Sequence, residues 1–152
     1  MHRDVRALVD GTIGGSLGTI AMSIVMVAGQ KAGALGGQPP GHIAAAGLDA
    51  LGVQRTKKEQ DALALTLHLV FGSTAGALFG LVSRRLRAPL GPAVQGVFFA
   101  SMVWVTSYKG WIPALGILPP PERDRPGRPL VMMLAHVLYG VILGWRVGHR
   151  SA

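Results

Sequence analysis

Four stretches of the sequence, 11–28, 62–82, 91–108 and 130–145, contain no Asp, Glu, Lys or Arg. Each has about the length needed to cross a hydrocarbon layer of roughly 30 Å as a helix. An amphipathic soluble helix would show a polar face with a period of 3.6 residues, and these windows show none. A soluble domain rarely holds four helices that are apolar on every side. The expected fold is therefore an all-α membrane protein with four transmembrane helices in a single membrane domain spanning 1–152. Composition agrees. Only 14% of the residues are charged, whereas a soluble domain carries about a quarter.

The first window follows Arg3 and Arg6 and precedes AGQKAGA, an order that a cleaved signal peptide also has. It carries Gly11, Gly14, Gly15 and Gly18 in place of a leucine-rich secretory core, and it is expected to be retained. The formal charge of +8 and pI near 11.2 would point to nucleic acid in a soluble protein. In a membrane chain the same excess reflects Lys and Arg flanking the spans beside anionic lipid, so no nucleic-acid partner is expected. Without cysteine there are no disulfides, thiolate clusters or thiol chemistry.

The sequence repeats itself. At an offset of 80, Met22 matches Met102, and Ala34-Leu35-Gly36-x-x-Pro39-Pro40 matches Ala114-Leu115-Gly116-x-x-Pro119-Pro120. At an offset of 68, the ladder His68, Gly72, Gly76, Gly80 matches His136, Gly140, Gly144, Gly148. Two tandem helix hairpins follow, repeat 1 at about 11–85 and repeat 2 at about 91–150. With two crossings each, they enter the membrane in the same direction and are related by a pseudo-twofold axis along its normal. The longer first connector has Ile43, Ala44, Leu48 and Leu51 at helical spacing, which predicts an interfacial helix over about 41–52. Thr56-Lys57-Lys58-Glu59 has the form of a capping box. The second connector, PPPERDRPGRP, reads as an ordered polar turn.

One side of the membrane receives Arg3, Arg6, Arg84, Arg85, Arg87, Arg146 and Arg150. The compact RRLR loop is expected to place that side, with both termini, in the cytoplasm by the positive-inside rule. Trp104, Tyr108 and Trp111 would then form an outer aromatic belt and Trp145 an inner one.

Glycine at every fourth position clears a stripe along which another helix can approach closely. Gly72, Gly76 and Gly80, with Gly140 and Gly144, form two such stripes, and Gly11, Gly15 (or Gly14) and Gly18 form a related one. His68 and His136 are the readily ionisable side chains well inside the windows. The repeat sets them at matching depth on the glycine-bearing faces, turned toward protein. One reading is a neutral imidazole bonded to a backbone carbonyl or to Thr12, Thr19, Ser23, Thr66 or Ser73, joining helices. Others are axial ligation of a b-type haem, or a proton relay. Two histidines without a nearby Asp, Glu or Cys are too few for zinc, so no metal site is expected. His2, His42 and His149 fall in terminal or connector segments. Asp4, Asp10, Asp49, Glu59, Asp61, Glu122 and Asp124 lie at helix ends or in connectors, and spacing pairs none of them as acid and base. With no phosphate loop or HExxH, an enzyme is not expected.

The run PP-x-x-I at 39–43, the ladder HLVFGSTAGALFG, the stretch SYKGWIPALGILPP at 107–120 and the final HVLYGVILG resemble small bacterial inner-membrane proteins of the YagU type. The resemblance implies membrane residence and carries no biochemical role. The leading expectation is a multi-pass inner-membrane protein without cofactor, a structural or accessory component. It would pack through its glycine faces against lipid, other membrane subunits or further copies of itself. The competing expectation is a haem-binding or proton- or solute-conducting protein that uses His68 and His136.

Overall fold

The computed structural model describes residues 3–85 and 89–149, so His2, Arg87 and Arg150 lie outside the described residues. All regular structure among these residues is helical: α1 (Arg3–Lys31), α2 (Pro39–Ala50), α3 (Lys57–Arg85), α4 (Pro92–Trp104) and α5 (Arg128–His149). Three of them, α1, α3 and α5, are long and apolar enough to cross a membrane. At 1.5 Å per residue, the 29 residues of α1 and of α3 extend well past the roughly 30 Å of a hydrocarbon core.

The third apolar window departs from expectation. Its α-helix ends at Trp104 and continues as a π-helical segment, Val105–Trp111, and a short turn, Ile112–Ala114. Two residues account for the change. Pro113 has no N–H to return to the preceding turn, and Gly110 takes a backbone conformation outside the helical region (φ −100°, ψ −106°). The wider winding turns Tyr108 inward until it is only 1% exposed.

Local signals account for the helix ends. Thr56 and Glu59 form a reciprocal cap at the start of α3. The Thr56 amide donates to Glu59 Oε2 at 2.9 Å, and the Glu59 amide to Thr56 Oγ1 at 3.4 Å. α1 and the turn after α4 both close on a glycine at positive φ, Gly33 (79°) and Gly116 (69°). In each, the residue after the glycine donates back five positions, Ala34 to the Gly29 carbonyl and Ile117 to that of Ile112. α2 starts on Pro39 and Pro40 and packs on α3, burying Pro39, Ala44 and Leu48.

α1 lies along both α3 and α5, and α5 holds α4 on its other side, whereas α3 and α4 scarcely meet. Ion pairs Arg84–Asp4 (2.9 Å) and Arg146–Asp10 (2.8 Å) bring the start of α1 together with the ends of α3 and α5. Gly144 and Gly148 over Pro92 add the start of α4 to that end. The turns that carry Leu35 and Asp124 meet at the opposite end. Met22, Met26, Leu35, Phe79, Ala135, Tyr139 and Leu143 form the core. The outward faces are apolar too, with Leu17, Ile20 and Ile24 of α1, Val70 and Phe71 of α3 and Leu134 of α5 all exposed. Such helices, apolar inside and out, suit hydrocarbon surroundings.

Candidate functional site

Each ladder is in contact within the chain. A Cβ added at Gly76 would meet the Gly11 carbonyl and the Gly15 Cα, and one at Gly80 the Ala7 carbonyl. At Gly72 it would strike Thr19 Oγ1, which itself donates to the Gly15 carbonyl at 2.7 Å. On the other side, Gly140 and Gly144 face Gly96, Val97 and Pro92 of α4. Gly14 and Gly18 admit α5: a Cβ at Gly18 would stand 2.7 Å from the Tyr139 ring, and one at Gly14 3.1 Å from Leu143. Tyr139 passes that gap, and its hydroxyl donates to the Gly72 carbonyl at 2.7 Å.

The α1–α3 and α4–α5 contacts can be compared glycine by glycine. Gly15 sits over Gly72 and Gly76 as Gly96 sits over Gly140 and Gly144. In that register Gly14 and Gly18, the residues that let α5 against α1, correspond to Gln95 and Phe99 of α4. Large side chains stand there, and α3 lies apart from α4. The two helices touch through Phe79 and Phe99, whose ring centroids are 5.3 Å apart with planes at 49°. This aromatic pinch divides the groove between α3 and α4 into two cavities.

The cavity toward the turn end, about 460 Å³, is walled mainly by apolar side chains, among them Met22, Met26, Ile43, Phe71, Val103 and Met132. Its polar lining includes His68 and His136, which thus stand in one cleft. His136 Nδ1 lies 2.8 Å from the Met132 carbonyl. A carbonyl only accepts, so Nδ1 carries a proton, and in the neutral ring Nε2 keeps its lone pair. His68 Nδ1 pairs with Ser23 Oγ at 3.3 Å, tying α3 to α1. Neither Nε2 has a hydrogen-bond partner among the described residues, and neither is sealed from the cleft. The second ring nitrogens are therefore available to a bound molecule. Among the described residues no three of His, Asp and Glu stand close enough to hold a metal ion between them.

The cavity toward the charged end, about 760 Å³, is lined by Arg3, Arg6, Arg84 and Asp10 over a floor that includes Ala7 and Phe79. Sequence position sets Asp10 at a helix end, yet it is 9% exposed and two turns inside α1. Arg146 Nη1 stands 2.8 Å from Asp10 Oδ1 but off the hydrogen-bonding direction, so the contact is an ion pair.

A polar lock closes the turn end. Arg128, 6% exposed, donates to the Leu35 carbonyl through Nε (3.1 Å) and Nη2 (2.6 Å), and to Asp124 Oδ1 through Nη1 (2.6 Å). Tyr108 Oη donates to Asp124 Oδ2 at 2.5 Å. Burial pushes the Asp124 carboxyl up, but hydrogen bonds from Tyr108, Arg128 and the Arg125 amide outweigh it and hold the group below 3.8. The i, i+4 spacing of Asp124 and Arg128 was the available sequence signal; the reach to Leu35, 93 residues away, had none. The expected outer aromatic belt is also corrected. Tyr108 is buried in the lock and the Trp104 indole N–H is buried, so of the three only Trp111 is exposed. Trp145, at the charged end, is exposed and packs on His149, centroids 4.8 Å apart.

No match was found among curated proteins or among solved structures. A family model matches residues 5–151, nearly the whole chain, and the protein belongs to that family, described as "Family of unknown function (DUF6789)".

Proposed function

We propose that the chain is a four-crossing bacterial inner-membrane protein that binds an amphipathic molecule in the cleft between α3 and α4. The four crossings rest on parity. The start of α1 and the ends of α3 and α5 share one end of the bundle. If all three cross, the chain must return once between α3 and α5, through α4 and its π-helical extension. The 23 residues of 92–114 are enough for that return. The matched seats of Gly15 and Gly96 favour reading the two hairpins as a duplicated unit. Likeness to the YagU type favours the inner membrane, and the arginine-rich end favours cytoplasmic termini.

The observation that carries the binding reading is the pair of unpartnered imidazole Nε2 atoms in one apolar cleft. Ligand sites are typically apolar concavities with a few convergent polar groups. The His136 lone pair calls for a hydrogen-bond donor, which a hydroxyl on an apolar body would supply. Accessory packing on the glycine faces is less favoured, because the chain's own helices already cover them. The second reading is a b-type haem, favoured by the same two Nε2 atoms, since imidazole is a standard axial ligand.

Purification in mild detergent tests both, with an absorption spectrum and mass analysis of the organic extract. The expected result is one amphipathic hydroxylated molecule in stoichiometric amount, lost in folded His68→Ala/His136→Ala. A Soret band lost in that variant would establish the haem reading. An extract and spectrum identical for the native chain and the variant would refute both.

A further inference from the structure

We propose that the cavity at the charged end is a binding site for a phosphate-bearing anion, independent of the histidine cleft beyond the Phe79–Phe99 pinch. Among the described residues its lining sets Arg3, Arg6 and Arg84 against Asp10, a surplus of two positive charges. The pairing also leaves donors free. Arg84 gives Nη1 to Asp4, and Arg6 approaches Asp10 only through Nε at 3.8 Å. Arg3 makes no ion pair among the described residues. Guanidinium forks with unused N–H groups match the oxygens of a phosphate in charge and geometry. Asp10 on the wall is paired with Arg146, and Ser83 and Gln95 add polar groups from α3 and α4.

The setting also fits. The cavity opens where the helices end, at the level at which phosphates of a bilayer would lie, and its floor of Ala7 and Phe79 is apolar. Val94 and Phe98 of α4, both exposed, continue that apolar surface along the helix. A glycerophospholipid would use both parts of the site, whereas free phosphate would use only the arginines.

Native mass spectrometry of the detergent-purified chain is the test, offering dioleoyl phosphatidylglycerol and dioleoyl phosphatidylcholine in equal amounts. The native chain is expected to retain the anionic lipid about tenfold better, and Arg3→Gln/Arg6→Gln to lose that preference. Both residues are exposed, so the variant keeps its core. Arg123→Gln/Arg125→Gln, at the opposite end, is expected to keep the preference. Inorganic phosphate is added as competitor. Displacement of the lipid at millimolar phosphate assigns the site to the phosphate group alone, and resistance assigns it to the whole lipid. The proposal is overturned if the double variant at Arg3 and Arg6 keeps the preference, or if the opposite-end variant loses it equally.

Discussion

The Tyr139 hydroxyl donates to the Gly72 carbonyl at 2.7 Å, joining α5 to α3 across the face of α1. The bond exists because Gly18 has no side chain where the Tyr139 ring passes. One contact thus unites three helices, and its two halves can be removed separately. Tyr139→Phe keeps the ring and loses the hydroxyl, which should cost about 1 kcal/mol. Gly18→Leu fills the passage and should cost several times more, because the ring has to leave its seat. Thermal melts of the purified chain, followed by tryptophan fluorescence, would rank the two. Equal losses would mean that the passage at Gly18 is not the tight point.

The lock at the turn end predicts a pH dependence. The folded pKa of Asp124 lies below its unfolded value near 3.8. Its contribution is therefore complete above that value and disappears as pH falls through the depressed folded pKa. Between pH 7 and 5 this group should leave the melting temperature unchanged, with a decline beginning below about pH 4. Asp124→Asn removes one partner of the buried Arg128 guanidinium and should cost about 3 kcal/mol at neutral pH. It should also flatten the acid decline. A variant melting curve that still falls as steeply in acid would assign the decline to other carboxyls.

How much of this was readable in the sequence depended on the range of the interaction. The Thr56–Glu59 cap is a local pattern with its structural counterpart, and the ladder glycines stand at close contacts. Of the four apolar windows, three lie in helices long and apolar enough to cross a membrane, and the window at 91–108 breaks at Trp104. His68 has the expected interhelical partner in Ser23, whereas His136 bonds the Met132 carbonyl one turn back in its own helix and so joins no helices by that bond. The cleft itself was not legible. It depends on α3 standing apart from α4, where Gln95 and Phe99 occupy seats that glycines hold in α1. The turn-based offset of 80 hid this, because the helices themselves match Gly15 to Gly96 one residue further on. Arg128 reaching Leu35 was illegible for another reason, since nothing local ties the two turns. Pro113 was a visible break signal, yet the apolar window stopped short of it.

The pinch predicts separable cavities. Phe79 is 4% exposed and belongs to the core, so the useful variant is Phe99→Ala, which opens the pinch from the α4 side. The chain has no cysteine, so a single Val103→Cys reports on the histidine cleft alone. A polar thiol reagent should label it slowly in the native background and several-fold faster with Phe99→Ala. Unchanged labelling would mean that the two cavities already communicate, or that access comes from the lipid side.

The asymmetry between hairpins gives the most demanding test. If Gln95 and Phe99 hold α3 off α4, then small residues there should let the second pair of helices close as α1 and α5 do. Gln95→Gly/Phe99→Gly recreates on α4 the surface that Gly14 and Gly18 present on α1. Ala75 and Val103 line opposite walls of the cleft and can be replaced by cysteines to report the distance. Disulfide formation between Ala75→Cys and Val103→Cys should be slow in the native background and fast in the double-glycine variant, since a bridge needs Cα atoms within about 7 Å. Two glycines inside α4 cost roughly 1 kcal/mol each, so helicity is checked by circular dichroism alongside. A helical variant whose cysteines stay unlinked would show that something other than these two side chains keeps the helices apart. A linked variant that also loses the extracted molecule would tie the cleft's existence to its occupant.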